Sequence, residues 1–219
     1  MSDPRLTRRP IKARQTKWAA SIARWLARSG LRPNQISVLS VVFAGLAGGS
    51  LALTGMSLTR GTTIVLFIAA AVCIQVRLLC NLFDGMVAVE GGMKSKSGEI
   101  YNELPDRLSD ALALVGAGYA FPAGDGANQL GWAAAVLAVI TAYVRTLGAA
   151  AGASQWFIGP MAKQQRMAIV TLACLGTAVS VMAGKPVAFM PAALALVMAG
   201  CLLTIVRRTH RIIRELESK

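Results

Sequence analysis

Residues 77–110 read RLLCNLFDGMVAVEGGMKSKSGEIYNELPDRLSD. Two largely apolar segments meet here across a short polar loop, and each carries carboxylates and amides into apolar surroundings. Asn81 and Asp84 are three positions apart, and Asn102, Asp106 and Asp110 follow one another at intervals of four. On helices, each set shares one face. A helical hairpin turns the two faces toward each other and makes a nest of oxygens, the ligand set that hard divalent cations such as Mg2+ prefer. Gly85, Ala88 and Gly98 are small and leave room for a ligand beside the backbone.

Outward from this stretch, the 219-residue chain is 55% hydrophobic and only 15% charged. A soluble domain of that length could not cover so much apolar surface, so the bilayer is its natural solvent. Six apolar runs lie near 35–55, 62–88, 104–122, 130–150, 166–184 and 187–206. Each is close to the ~20 residues that carry a helix across hydrocarbon. Helices are required because lipid cannot satisfy open backbone groups, and the alternation of a barrel strand is absent. The expected fold is an all-α membrane protein: six transmembrane helices preceded by an N-terminal interfacial amphipathic helix. The boundaries are 1–33 for the basic interfacial helix, 34–206 for the membrane domain and 207–219 for a basic cytoplasmic tail. Trp18, Ile22, Trp25, Leu26 and Leu31 recur at helical spacing among the arginines of the first segment, as in a helix lying at the headgroup level. Asn34 or Ser37 is expected to cap the first span. Gly45, Gly48, Gly49, Gly116, Gly118, Gly148 and Gly152 suggest close helix packing. No internal repeat or second domain is visible.

The net charge of +13 is gathered at the ends of apolar runs. One set of loops holds the N-terminal arm, Lys94, Lys96, Lys163, Arg166 and the tail with Arg207, Arg208, Arg211 and Arg214; the other holds little beyond Arg60, Lys185 and Asp125. This asymmetry places both termini in the cytoplasm and suits anionic lipid headgroups; no nucleic-acid motif accompanies it. The four cysteines lie in apolar runs without C-x-x-C spacing and read as buried thiols. The one histidine, His210, is in the tail, which leaves carboxylates as the available bases. Ionisable groups within apolar spans are costly, so Arg77, Asp84, Asp106 and Asp110 are functional candidates by default. Arg77, one turn before Asn81, pairs with a carboxylate of the cluster or touches phosphate. Glu90 and Glu103 are weaker candidates, and Lys94 and Lys96 read as plain loop charges.

With these residues in place, the stretch resembles the CDP-alcohol phosphatidyltransferases. That family carries Asp-x2-Asp-Gly-x2-Ala-Arg-x8-Gly-x3-Asp-x3-Asp across its second and third membrane helices. Here the sequence has Asn81, Asp84, Gly85, Ala88 and Val89, then eight residues, then Gly98, Asn102 and Asp106, with no gap in the spacing. The six-span layout and the basic helix before Pro33-Asn34 are also similar, so the resemblance covers most of the chain. Asn81 and Asn102 stand where the family has its first and third aspartates, and Val89 where it has arginine.

The resemblance implies a metal-dependent transfer of a phosphatidyl group from a CDP-activated lipid to an alcohol acceptor, with release of CMP, in phospholipid biosynthesis. It implies Mg2+ or Mn2+, one or two ions, at Asn81, Asp84, Asn102 and Asp106, with Asp110 as a further ligand or an alternative base. It implies nucleotide binding at Asp84, Gly85, Ala88 and Gly98, with Asp106 as base on the acceptor hydroxyl. Arg145, Lys163 and Arg166 resemble the family's basic positions for an acceptor or phosphate; ordinary positive-inside charge is the alternative. A homodimer in a bacterial inner membrane is the further expectation. Two other readings use the same residues: a CDP-lipid binder with weak turnover, and a small cation- or proton-coupled transporter. The second is disfavoured because transporter sites sit near the midplane between repeats.

Overall fold

A computed structural model describes residues 16–56, 59–93, 97–120 and 126–219, with only the backbone at Glu90 and Glu99. Lys94, Lys96, Asp125, the Glu90 side chain and residues 1–15 of the basic arm lie outside the described residues. Among the described residues helix is the only regular secondary structure. Its seven helices are α1 (Lys17–Arg28), α2 (Pro33–Thr54), α3 (Arg60–Glu90), α4 (Gly98–Gly118), α5 (Ala127–Ala150), α6 (Lys163–Met182) and α7 (Phe189–Glu217). Five of them, α2, α3, α5, α6 and α7, are long and apolar enough to cross a membrane. Their outward side chains, among them Val42, Leu46, Val65, Val72, Leu172, Val179, Leu196 and Val206, are exposed. Water would penalise such a surface heavily and lipid does not. The chain is an integral membrane protein. Helix α4 differs because its first half carries Glu103, Asp106, Arg107 and Asp110.

The six long helices pack in a closed ring, α2–α3–α6–α7–α5–α4 and back to α2. Chain direction follows from side-chain contacts. Ser37 near the start of α2 reaches Asp84 near the end of α3. Arg60 at the start of α3 donates to the carbonyls of Val181 and Met182 at the end of α6. Arg145 late in α5 meets Glu103 early in α4. One end of the ring therefore collects the start of α2, the end of α3, the start of α4, the end of α5 and the start of α6. The polar candidates among the described residues lie at that end. The other end is closed by the apolar core around Leu51, Phe67, Leu114, Val170 and Leu194.

Two details differ from the sequence expectation. Helix α2 begins at Pro33, whose fixed φ and missing N–H suit a first helical position. Its start is closed by Gln35, whose Oε1 accepts from the Arg32 N–H at 2.9 Å, so neither Asn34 nor Ser37 is the cap. The glycines also divide. A Cβ at Gly48 would lie 2.3 Å from the Leu112 carbonyl oxygen, and one at Gly116 would meet the Gly48 backbone at the same distance. Gly118 and Gly131 touch similarly across α4 and α5, and Gly148 packs on Ile212, whereas Gly45, Gly49 and Gly152 have nothing within 4 Å.

Helix α1 lies against α3. Ala19 and Ala23 are buried with Phe83, Met86 and Val87, and Trp18 meets Phe83 edge-on with ring centroids 6.2 Å apart. Trp25 and much of Trp18 remain exposed. The short helix thus braces the stretch of α3 that carries Asp84.

The α2–α4 crossing yields a test. Gly48→Ala forces two backbones apart and should cost about 1–3 kcal/mol, read as a lowered thermal midpoint in detergent. Gly45→Ala, one turn away, should leave the midpoint unchanged or slightly raised. Equal midpoints for the two variants would contradict the packing described.

Candidate active site

The site is built in two layers. The outer layer holds Asp84, Asp106 and Lys163. Asp84 is buried near the end of α3. Ser37 Oγ donates to its Oδ2 at 2.8 Å, and the Gly85 N–H donates to its Oδ1. Asp106 stands on α4, where Pro105 interrupts the helix ladder by lacking an N–H. Lys163 Nζ, at the first position of α6, is 2.6 Å from Asp106 Oδ2. Asp106 Oδ1 is buried and has no hydrogen-bond partner among the described residues. The two carboxylates are near enough to repel each other, and Lys163 attracts both.

Asn81 is buried one helical turn before Asp84, with its Nδ2 unpartnered among the described residues. Asn102 is exposed one turn before Asp106, and Gly85, Ala88 and Gly98 are half-buried around them. No group of three His, Cys, Asp or Glu side chains gathers into a metal cage among the described residues. The oxygens on these helix faces belong to the carboxylates of Asp84 and Asp106 and the amides of Asn81 and Asn102. Carboxylate and amide carbonyl oxygens suit Mg2+ or Mn2+, and Asp84 and Asn81 bring one of each, buried one turn apart on α3. The residues present fit a hard divalent cation.

Beneath lies a buried charge cluster. Arg77 Nη2 is 2.6 Å from Asp110 Oδ1 and also reaches the Asp106 carbonyl at 3.3 Å. Arg166 Nη2 grips Asp110 Oδ2, while its Nη1 donates to the Met161 carbonyl at 3.0 Å. All three side chains are at most 2% exposed. The question left open for Arg77 is answered: it pairs with a carboxylate. Asp110 shares the α4 face of Asp106, yet both its oxygens are taken.

The rim is formed by Glu103, which accepts from Arg145 at 2.7 Å and from Arg107 at 2.8 Å. Arg145 also donates to Gln155 at 2.8 Å and lies over the Phe157 ring, 5.1 Å from its centroid. Of the three basic residues singled out in the sequence, Lys163 therefore sits with Asp106, Arg145 with Glu103, and Arg166 with Asp110. Sequence reasoning missed Ser37, Gln155 and Phe157 as parts of the site. Ser37 was visible only as a polar residue near a helix start, and the other two lie in a loop with no motif.

No protein-family model matches the chain, and no curated protein is a significant match to it. Solved structures do match. Phosphatidylinositol phosphate synthase of Mycobacterium tuberculosis in complex with manganese and citrate is 22% identical, covering 89% of this chain and 88% of that one, with a TM-score of 0.71. The same enzyme with CDP-DAG bound is 24% identical over 90% of this chain and 94% of that one, with a TM-score of 0.70. Its apo form is 25% identical over 87% and 93%, with a TM-score of 0.66. Over nearly its whole length the chain thus has the fold of a phosphatidylinositol phosphate synthase, the architecture that the Asn81–Asp106 stretch led one to expect from its resemblance to the CDP-alcohol phosphatidyltransferases.

Proposed function

We propose that this protein transfers a phosphatidyl or related substituted-phosphate group from a CDP-activated lipid to an alcohol, releasing CMP. The observation that carries the reading is Asp106. It is buried beside Asp84 at one end of a membrane helix ring, with one oxygen on Lys163 and the other unpartnered among the described residues. The matched fold supports it, since that synthase is described with CDP-DAG and with manganese.

In this reading Asp106 Oδ1 takes the proton of the acceptor hydroxyl. The freed oxygen attacks the phosphorus that bears the lipid. The bond from that phosphorus to the bridging oxygen of the pyrophosphate breaks, and CMP leaves with the electron pair. Lys163 holds Asp106 in place by its second oxygen and offers positive charge to the incoming acceptor. Asn81, Asp84 and Asn102 would hold Mg2+ or Mn2+, which would supply charge neutralisation at the pyrophosphate, and Asp106 Oδ1 stays free for the proton. Ser37 fixes the Asp84 carboxylate. The half-buried Gly85, Ala88 and Gly98 leave room for the cytidine and its phosphates. Arg145, at the rim, binds an acceptor with a phosphate of its own. Asp110 and Arg166 belong in this reading to the supporting cluster and not to the metal, base or phosphate roles.

We place α4 as the sixth span, since the ring closes through it, and α1 in the cytoplasmic interface of a bacterial inner membrane with Trp18 and Trp25 toward the headgroups. The site then faces the compartment in which CDP-activated donors are soluble on their nucleotide side.

The test is CMP release from CDP-diacylglycerol in detergent across a panel of alcohols and their phosphates. Mg2+ or Mn2+ should support it and EDTA should stop it. Asp106→Asn should lower kcat by about a hundred- to ten-thousand-fold, the usual weight of a general base. Lys163→Met should raise the acceptor KM as well. Folded wild-type protein that releases no CMP with any acceptor would sink the transferase and leave a CDP-lipid binder.

The supporting role of Asp110 is tested by stability. Asp110→Asn leaves two buried guanidiniums short of their counter-charge and should cost about 3–5 kcal/mol, seen as a large drop in thermal midpoint in detergent. Asp84→Asn should lower the midpoint far less. An Asp110→Asn protein as stable as the wild type would refute this role.

A further inference from the structure

Between α5 and α6 the chain runs without helix from about 153 to 158. Along this segment successive side chains meet alternating partners. On one side is the end of α7. The Ser154 N–H and Oγ donate to Glu215 Oε1 at 2.9 and 2.8 Å. Trp156 Nε1 donates to Glu215 Oε2 at 2.5 Å, and the Arg211 guanidinium lies 4.4 Å from the Trp156 ring centroid. The Ile158 carbonyl accepts from Arg208 Nε at 2.9 Å. On the other side are Gln155 and Phe157, the two residues that hold Arg145. The segment is then locked where it enters α6. Gly159 has φ +117° and packs against Thr204, and the Met161 N–H donates to Thr204 Oγ1 at 3.0 Å. Two residues later comes Lys163.

We propose that this segment is a strap through which α7 sets the acceptor side of the site, with Glu215 as its positioning residue. The basic end of α7 is therefore more than a membrane-surface anchor. One carboxylate accepts three hydrogen bonds from Ser154 and Trp156 and so fixes the register of the strap. The register decides that Gln155 and Phe157 face Arg145. Glu215 touches no substrate in this scheme; it acts through Arg145, and the inference rests on the reading of Arg145 as part of the acceptor site.

The test compares Glu215→Ala, Glu215→Gln and Gln155→Ala with Arg214→Ala, a neighbouring exposed arginine on the same helix. Two readouts are taken on the full-length protein in detergent: steady-state CMP release, and hydrogen exchange of the peptide spanning 151–162. Glu215→Ala should raise the acceptor KM about tenfold, the weight of one charge-assisted hydrogen bond. The KM for the CDP-lipid and kcat should stay within about twofold. Exchange across 151–162 should rise. Glu215→Gln, which keeps one accepting oxygen, should recover part of the acceptor KM. Gln155→Ala should raise the acceptor KM too, and the double variant with Glu215→Ala should add little. Arg214→Ala should behave as wild type. Active wild-type protein whose acceptor KM is the same in Glu215→Ala and Gln155→Ala overturns the strap and leaves the transferase standing. Loosened exchange without a change in acceptor KM does the same. Wild-type protein with no turnover overturns both readings.

Discussion

The structure depends on a single buried carboxylate. Asp110 lies between Arg77 of α3 and Arg166 of α6, with its oxygens divided between them. Taking three charges out of water costs several kcal/mol per ion, and close attraction with well-aligned hydrogen bonds has to offset it. The cluster leaves one guanidinium in excess, and two carbonyls take part of its charge: Arg77 also binds the Asp106 carbonyl and Arg166 that of Met161. Apolar side chains could hold three helices together as well. What the cluster adds is register, because a hydrogen-bonded charge pair tolerates little sliding. One turn up α4 from Asp110, Asp106 is thereby set against Lys163, and Asp84 is set about two turns along α3 from Arg77. The outer layer inherits its geometry from the inner one.

The placement of the site was legible because helical spacing is a strong local rule. Asn81 with Asp84, and Asn102 with Asp106 and Asp110, had to share faces, and alternating spans had to bring those faces to one end. The roles within the site were not legible to the same degree. Asp106 and Asp110 are indistinguishable by spacing; they differ by what α6 presents to them, 57 and 56 residues later. Lys163 and Arg166 are likewise three apart on one helix, yet one reaches the outer layer and the other the inner. Ser37 read as a cap because serine near a helix start commonly is one. Pro33 and Gln35 took that task, which left the hydroxyl free to turn toward Asp84. Of the seven glycines picked out for close packing, those at real crossings were separable from the others only once the partner helix was known. The charged first half of α4 has the same origin: a helix that lines the site cannot also be uniformly apolar.

The tail shows how far charge pattern alone can mislead. A run of arginines after the last apolar span reads as a headgroup anchor. Arg208 is buried and holds the Ile158 and Thr141 carbonyls, and Arg211 covers Trp156. Helix α7 continues to Glu217 because its far end has a partner to pack on. Arginines that read alike in the sequence thus differ in the fold: Arg208 and Arg211 meet the neighbouring loop, whereas Arg214 is exposed.

The charge balance of the outer layer also follows from the sequence. A site with four carboxylates in this space would repel itself strongly without cations. Asparagine at 81 and 102 halves the negative charge and removes most of that repulsion while keeping carbonyl oxygens available, and Lys163 neutralises much of what is left by binding Asp106. The two remaining carboxylates are each restrained by protein, Asp84 by Ser37 and the Gly85 N–H, Asp106 by Lys163. The outer layer therefore holds its shape through its own hydrogen bonds and ion pair. In the proposed reaction, pre-set ligands of lower charge would bind a cation less tightly but need less rearrangement when it arrives, which favours positioning over metal affinity.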